Sequence, residues 1–250
     1  MSLSSSDYLE TIQAAIARVG TGQTELIQRA AEILSDSVRA GGVIQAFGCG
    51  HSEALAMEIA GRAGGLVPSN RIALRDVVLY GGDPLSVLQD PTVERRSDIA
   101  HRLYELAPVK PDDAFVIASN SGINGAVVEM ALLVKERGHA LIAITSAEHS
   151  AGVASRHPSG RKLGEIADVV LDNGAPKGDA ALPLPGGGAV GAVSSITGAL
   201  LAQQIVTEVV ARLLAAGVTP PVYLSDNVPG GKEHNAAMEA RYAGRIRRTA

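Results

Sequence analysis

Apolar residues recur every three or four positions along the first 40 residues and then change to short continuous runs. Two helical stripes come first, at Leu9, Ile12, Ile16 and Val19 and then at Leu26, Ala30, Ile33, Leu34 and Val38. After the pair Gly41-Gly42, continuous apolar runs predict strands at residues 43–47, 115–119, 141–145 and 169–171. Helical patterns lie between or after these runs, at residues 52–63, 98–106, 123–138 and 189–216.

Strands that are apolar throughout are typical of a parallel sheet with helices on both faces. The order of the predicted elements therefore indicates an α/β protein, a three-layer α/β/α sandwich. The longest apolar stretch, residues 189–216, has the length of a membrane span, but Gln203, Gln204, Glu208 and Arg212 interrupt it. We interpret it as a buried central helix and expect no membrane association.

Composition and charge narrow the classes of function. The chain has 250 residues, 46% of them hydrophobic, and a formal net charge of −4, so it lacks the basic stripe that nucleic-acid binding requires. Its one cysteine, Cys49, excludes an intrachain disulfide and a zinc site built on several cysteines. The N-terminal residues show no signal-peptide pattern. These features predict a cytoplasmic protein without a nucleic-acid partner, and no spacing of metal ligands is present.

The turn after the first predicted strand is Gly48-Cys49-Gly50-His51-Ser52. In parallel sheets, ligands bind beyond the carboxyl ends of the strands, where backbone N–H groups and helix N-termini meet. Glu53 occupies the place of the third glycine of a dinucleotide-binding turn, and no Gly-Lys-Ser/Thr of a P-loop occurs. The turn therefore disfavours a nucleotide cofactor. By itself it fits either a small anion site or a plain connection between strand and helix.

A second polar turn follows the strand at residues 115–119. At the start of the next helix it places Ser119, Asn120, Ser121, Gly122 and Asn124. Several short donors at a helix N-terminus suit a phosphate monoester, which offers three acceptor oxygens. Because the strand after that also ends in polar residues, Thr145-Ser146, the loops together predict a phosphate site more strongly than either loop alone.

These turns carry a resemblance to a known family. Ser119-Asn120-Ser121-Gly122 with the downstream stretch EMALLVKERGHALIAITS, and the first turn upstream, resemble the sugar isomerase (SIS) domain over residues 41–216. That family includes phosphoheptose isomerase, the isomerase half of glucosamine-6-phosphate synthase and N-acetylmuramic acid 6-phosphate etherase. The resemblance implies a flavodoxin-like fold with a five-stranded parallel sheet and a phosphosugar ligand. It also implies dimers or higher oligomers that complete the site, and we expect a homodimer or homotetramer without a cofactor. Because the family includes phosphosugar-sensing regulators, the resemblance alone does not establish catalysis.

The resemblance also implies roles for individual residues. Phosphate contacts carry over to Ser52, Ser119, Ser121 and Asn124, with Gly50 and Gly122 allowing close approach. Asn120 is a further candidate for contact with the phosphate or the sugar. Sugar contacts carry over to Ser194 and Ser195 at the start of the long helix. His51 directly follows Gly50, so we expect its imidazole to face the sugar.

The C-terminal region offers further candidates. We predict a helical extension for oligomerisation at 1–40, the SIS domain at 41–216, and a C-terminal loop and helix at 217–250 that complete the site. The loop SDNVPGGKEHN concentrates polar groups, and we expect Asn227 and His234 to line a site, that of the same chain or of a neighbouring subunit. The alternative is that this loop only caps the last helix, predicted at residues 236–247.

Sugar-phosphate isomerisation requires side chains that accept and donate protons. The glutamate that family members often carry ahead of the long helix has no clear counterpart here, and Asp179 is the nearest carboxylate. The candidates for acid and base are His234, Glu53, Glu58 and Asp179. They predict a sugar-phosphate isomerase. The alternatives are a non-catalytic phosphosugar sensor and an etherase-type lyase acting on an amino-sugar phosphate.

Overall fold

Parallel strands and the helices between them form the centre of the molecule, for which a computed structural model describes residues 3–248. The strands are β1 (Ile44–Gly48), β2 (Ser69–Ile72), β3 (Ala114–Ala118), β4 (Leu141–Thr145), β5 (Val169–Asp172), β6 (Ala180–Pro183) and β7 (Ala189–Ala192). The helices are α1 (Ser5–Gly22), α2 (Thr24–Arg39), α3 (Glu53–Ile59), α4 (Asp76–Leu79), α5 (Ser86–Gln89), α6 (Asp98–Leu106), α7 (Gly125–Glu136), α8 (Ala147–Ala151), α9 (Ser194–Ala215) and α10 (Gly231–Ala240).

The first five strands form one parallel sheet in the order β2-β1-β3-β4-β5. Every residue of β1, β3 and β4 is buried, as expected for central strands covered on both faces. The predicted three-layer sandwich and the five-stranded sheet are therefore confirmed. Of these five strands, the sequence pattern missed β2, an edge strand in which Ser69, Asn70 and Arg71 interrupt the apolar run.

Alternate residues of each strand face two separate cores. On one face, Ile44 and Val116 pack with α2, α3 and α9. On the other face, Phe47 and Phe115 pack with α4, α6 and α7. Because helices close both faces of the sheet, a ligand can approach the strands only at their ends.

The predicted boundary at residue 40 does not separate two packing units. Helix α2 buries Ile27, Leu34 and Val38 in the same cluster as the strands and packs along α9. Helix α1 lies against α9 as well, and its Ile12 is buried beside Val193. Both N-terminal helices are thus part of one layer of the sandwich. Their role in oligomerisation stays a prediction.

The prediction of a helix from residue 189 is wrong at its start. Residues Ala189–Ala192 form β7, which pairs antiparallel with β6 in a hairpin next to α1. Gly191 has a φ of +86°, and a Cβ atom there would lie 2.7 Å from the Tyr8 ring. Glycine is suited to this position because it combines a left-handed backbone with close contact. Helix α9 therefore begins only at Ser194.

Helix α9 is the helix of the described residues whose length and hydropathy alone would allow a membrane span. Its Leu201, Ile205, Val209 and Leu213 are buried in the core beside α2 and the sheet, so it is a core helix of the sandwich. The prediction that it is a buried central helix needs correction, however. Only 39% of its most apolar window is buried, and one face of the helix points outward.

The described part of the C-terminal region, residues 217–248, packs at the amino ends of the strands. Asp113 immediately precedes β3, is fully buried, and forms an ion pair with Arg245. Asn70 of β2 donates to the Arg245 carbonyl and accepts from the Arg247 N–H group. The last helix is α10, so the helix predicted at residues 236–247 is displaced. This region lies at the end of the sheet opposite the predicted phosphate loops.

Candidate functional site

A polar cavity of about 130 Å³ lies where the carboxyl ends of β1, β3 and β4 meet α3 and α9. Its lining consists of His51, Ser52, Ala54, Leu55, Glu58, Ala118, Ser119, Asn120, Ile144, Asn173, Ser194, Ser195 and Ala199. Residues from both predicted phosphate loops therefore share one cavity with the start of the long helix. This is the edge of the sheet at which parallel α/β proteins bind ligands.

The first loop turns sharply between β1 and α3. Gly50 has a φ of +57°, a left-handed backbone that favours glycine, and the turn brings His51 and Ser52 to the cavity wall. Cys49, directly before Gly50, is 8% exposed. Burial, with the nearby carboxylates of Glu94 and Glu53, raises the pKa of the Cys49 thiol well above its usual range. Cys49 is thus a packed residue and is unsuited to act as a nucleophile.

The first loop also depends on Gly48, because a Cβ atom there would overlap the Ser52 carbonyl oxygen. We expect Gly48→Ala to lower the free energy of unfolding by about 1–3 kcal/mol, since backbone must shift to relieve the overlap. Urea denaturation measures this change. Gly22→Ala in α1 is the control, because a Cβ atom at Gly22 meets nothing within 4 Å. Equal stability of the wild type and Gly48→Ala would contradict the proposed packing of the loop.

The second loop holds Ser119 in a defined orientation. Ser119 is 8% exposed, and its Oγ accepts a hydrogen bond of 3.1 Å from the Gly122 N–H group. Gly122 has a φ of +65°, which lets the loop fold back in this way. Because Oγ acts as the acceptor, the hydroxyl proton of Ser119 stays available for a ligand. Ser121 lies on the same loop but does not line the cavity.

Asn120 and Asn173 form a pair that the sequence analysis identified only in part. Asn173 Nδ2 donates to Asn120 Oδ1 at 2.6 Å, and Asn173 Oδ1 accepts from the Ala175 N–H group. Asn173 is 4% exposed and directly follows β5. Asn173 follows a strand that the sequence pattern predicts, so the tendency of ligands to bind beyond the carboxyl ends of parallel strands is the signal that points to it.

The structure does not bring Asn124 into the cavity. Its Nδ2 donates to Glu94 Oε1 and its Oδ1 accepts from Arg156, each at 2.8 Å. Both ends of the amide are therefore occupied, and the side chain connects the second loop to two neighbouring segments. No sequence pattern indicated this role for Glu94.

Glu58 is the carboxylate that the structure places in the cavity. Its Oε1 accepts from Gln203 Nε2 at 2.7 Å and forms an ion pair with Arg62. Both contacts use the same oxygen, so within residues 3–248 Oε2 has no protein partner. A carboxylate that lines a polar cavity and has one oxygen without a protein partner is suited to act as a general base.

The structure places Glu53 outside the cavity, in contrast to the sequence-based expectation. Its Oε1 lies 2.7 Å from Arg75 Nη2 and 3.8 Å from Arg71 Nε. Positions five apart on an α-helix project about 140° from each other, so Glu53 and Glu58 cannot face the same site. Glu53 therefore joins α3 to the segment after β2.

Asp179 is also engaged, at the N-terminus of α9. Its Oδ1 accepts from the Ser194 N–H group at 2.8 Å and from the Val193 N–H group at 3.2 Å. Its Oδ2 accepts from Ser194 Oγ at 2.7 Å. The carboxylate compensates the positive end of the helix dipole. Asp179 contacts Ser194, which lines the cavity, but does not itself line it. This position argues against the expected role of Asp179 as acid or base.

His234 and Asn227 do not reach this cavity in their own chain. His234 Nε2 contacts the Val222 carbonyl oxygen at 3.0 Å, and α10 packs at the amino ends of the strands. Asn227 is exposed, and its N–H group donates to Ser225 Oγ. The described part of this region, residues 217–248, therefore does not line the cavity of its own chain. A contribution of Asn227 or His234 to the site of a neighbouring subunit stays a prediction.

The described residues around the site do not form a cluster of metal ligands. Among residues 3–248, no three His, Cys, Asp or Glu side chains are grouped so as to hold a metal ion. The cavity instead offers hydroxyl and amide groups, one carboxylate and one imidazole. These groups can bind an anion through neutral donors and can move a proton.

Known proteins resemble this chain in family, in sequence and in fold. A model of the SIS domain matches residues 7–146. UPF0309 protein lmo0025 of Listeria monocytogenes is 44% identical over 225 residues, which cover 90% of this chain and 91% of the relative. UPF0309 protein GK1441 of Geobacillus kaustophilus is 35% identical over 240 residues, with coverage of 96% and 94%.

Two solved structures are similar in fold. A phosphoheptose isomerase from Neisseria gonorrhoeae has a TM-score of 0.55 at 19% identity, covering 82% of this chain and 96% of its own. A phosphoheptose isomerase from Francisella tularensis has a TM-score of 0.55 at 18% identity, covering 82% of this chain and 95% of its own. At such identities the similarity concerns the fold.

Proposed function

Because the chain belongs to the SIS domain family, we propose that it binds a phosphosugar in the cavity and interconverts the aldose and ketose forms of that sugar. One observation carries the proposal. The carboxylate of Glu58 lies in the same cavity as the hydroxyl groups of Ser52 and Ser119. The hydroxyl groups supply donors for a phosphate, and the carboxylate supplies a base beside it.

The proposed reaction needs only proton transfers. Glu58 removes the proton from C2 of the open-chain aldose and returns it to C1, while the proton on O2 moves to O1. The product is the ketose, and no group is gained or lost. His51 lies on the same wall and is the imidazole placed to open the sugar ring and to relay the oxygen-bound proton.

NMR in D₂O tests this proposal directly. Purified protein is incubated with aldose and ketose phosphates of four to seven carbons and with the unphosphorylated sugars. We expect conversion of at least one phosphate pair, with solvent deuterium incorporated at C1 or C2. The unphosphorylated sugars should neither bind nor react. Absence of both binding and conversion across the panel would overturn the proposal.

The two alternatives give different results in the same experiment. A sensor would bind a sugar phosphate, seen as a ligand-dependent rise in Tm, without converting it. A lyase would release an acid from an ether-linked amino-sugar phosphate and leave simple aldose phosphates unchanged. The base in the cavity favours catalysis over sensing, because a purely binding site has no need of an unpaired carboxylate oxygen.

We also propose that the protein forms a homodimer or homotetramer through the layer that contains α1, α2, α3 and α9. This layer exposes large apolar side chains: Leu9, Leu26, Met57, Ile196 and Leu214. Sedimentation velocity should show an oligomer, and Met57→Lys with Ile196→Lys should shift it towards monomer. Leu85→Lys on the opposite layer, where Leu85 is 63% exposed, should not. A monomeric wild type would contradict this proposal.

A further inference from the structure

Two groups of residues around the cavity, those of the loops after β1 and β3 (its loop end) and those at the start of α9 (its α9 end), offer a ligand opposite kinds of hydrogen-bonding group. At the loop end, Ser119 Oγ accepts from the Gly122 N–H group and so keeps its proton for a ligand. The Ser52 hydroxyl has no protein partner among residues 3–248 and can also donate. Donors at this end suit the phosphate of the proposed ligand.

At the α9 end the hydrogen-bonding direction is reversed. Ser194 Oγ donates its single proton to Asp179 Oδ2 at 2.7 Å, so towards the cavity it can only accept. A ligand group must therefore bring donors to this end.

The negative charge at the α9 end also disfavours a ligand group that is itself an anion. A helix N-terminus normally attracts an anion, but here the Asp179 carboxylate already accepts from the Val193 and Ser194 N–H groups. Asp179 holds this position with a φ of +69°, a left-handed backbone that few residues other than glycine adopt. Among the described lining residues there is no Lys or Arg to compensate a second anion.

We infer, on the basis of the proposed phosphosugar function, that Asp179 and Ser194 select the non-phosphate end of the ligand. This end must carry hydroxyl or ammonium donors and no carboxylate. Asp179 is a specificity residue that acts through Ser194 and through its charge. The site therefore accepts polyol and amino-sugar phosphates and rejects sugar acids. An N-acetylmuramic acid phosphate carries a carboxylate, so this inference also opposes the etherase-type alternative.

A matched pair of ligands tests the selection. Glucitol 6-phosphate and 6-phosphogluconate differ only at C1, which is a hydroxymethyl group in the first and a carboxylate in the second. The corresponding five-carbon pair controls for chain length. We expect the wild type to bind the alditol phosphate about tenfold more tightly by calorimetry at low salt, and this preference to shrink as salt rises.

Asp179→Asn is the informative variant. Asparagine tolerates the left-handed backbone and keeps an acceptor for the helix N–H groups, so the fold should persist. Its Nδ2 donates to Ser194 Oγ, which frees the Ser194 proton and removes the negative charge. We expect the preference to fall to about threefold or less. Affinity for the alditol phosphate should stay within about twofold of the wild type.

The outcomes separate this inference from the proposed function. Equal wild-type affinity for the two ligands of a pair would overturn the selection and leave phosphosugar binding intact. If Asp179→Asn left the preference unchanged, the inferred selection would also be overturned, because the charge of Asp179 would then not contribute to the preference. If no alditol phosphate binds, this inference fails; the proposed function fails as well only when no sugar phosphate of the four- to seven-carbon panel binds or is converted.

Discussion

Replacing Glu58 by Gln should lower kcat for sugar-phosphate interconversion by about 100- to 10,000-fold, the usual contribution of a positioned general base. The amide keeps the size of the side chain and keeps an oxygen for Gln203 and Arg62, which contact Glu58 through one carboxylate oxygen. Because the proposed phosphate contacts are Ser52 and Ser119 rather than Glu58, the Kd for the ligand should change by less than about threefold. Steady-state kinetics and calorimetry measure the two quantities.

Variants of two further glutamates serve as comparisons for Glu58→Gln. Glu53→Gln tests the other carboxylate of the same helix, which pairs with Arg75, and it should retain turnover. Glu136→Gln on the exposed end of α7 is the control for loss of a surface charge. If Glu53→Gln abolished turnover and Glu58→Gln did not, the assignment of the base would be wrong.

Ser119→Ala should weaken phosphosugar binding by about 10- to 100-fold, because a hydrogen bond to a charged acceptor is lost from a buried position. Ser119 is 8% exposed and also supplies the acceptor for the Gly122 N–H group, so part of the loss comes from a less ordered loop. Calorimetry with a converted sugar phosphate measures the effect on Kd.

The pattern of losses distinguishes phosphate recognition from general disorder. Binding of the phosphate should weaken in Ser119→Ala, while the Tm of the free protein changes by only a few degrees. Ser86→Ala, which removes an exposed hydroxyl from α5, should leave both unchanged. An unchanged Kd in Ser119→Ala would remove the basis for placing the phosphate on this loop.

Periodicity in the chain was sufficient for the central architecture. The runs that predict β1, β3, β4 and β5 are buried strands of one parallel sheet, because residues covered on both faces must be apolar at every position. Where the pattern failed, local context was the reason. Strand β2 lies at an edge and carries polar residues, and β7 is a short hairpin strand whose small apolar residues resemble the start of α9.

The candidate site residues divide in the same way, into those that the local pattern locates and those that only the packing locates. The structure brings His51, Ser52, Ser119 and Asn120 to one cavity, since residues that follow neighbouring parallel strands must meet at the same edge. The sequence predicted a binding role for these four residues, which stays a prediction. It could not choose among the acidic residues. In the sequence, Glu53 and Glu58 are equally good candidates for the base. Only their directions on the helix and their contacts in the structure distinguish them.

The amino-acid sequence by itself therefore determined the family, the layered fold and the loops that form the cavity, because these depend on local pattern and on short motifs. The tertiary structure alone decided that Glu58 lies in the cavity, that Asp179 is bound to the start of α9, and that His234 lies at the opposite end of the sheet. These features depend on contacts between segments far apart in the chain. Such contacts follow from packing, for which no local pattern exists.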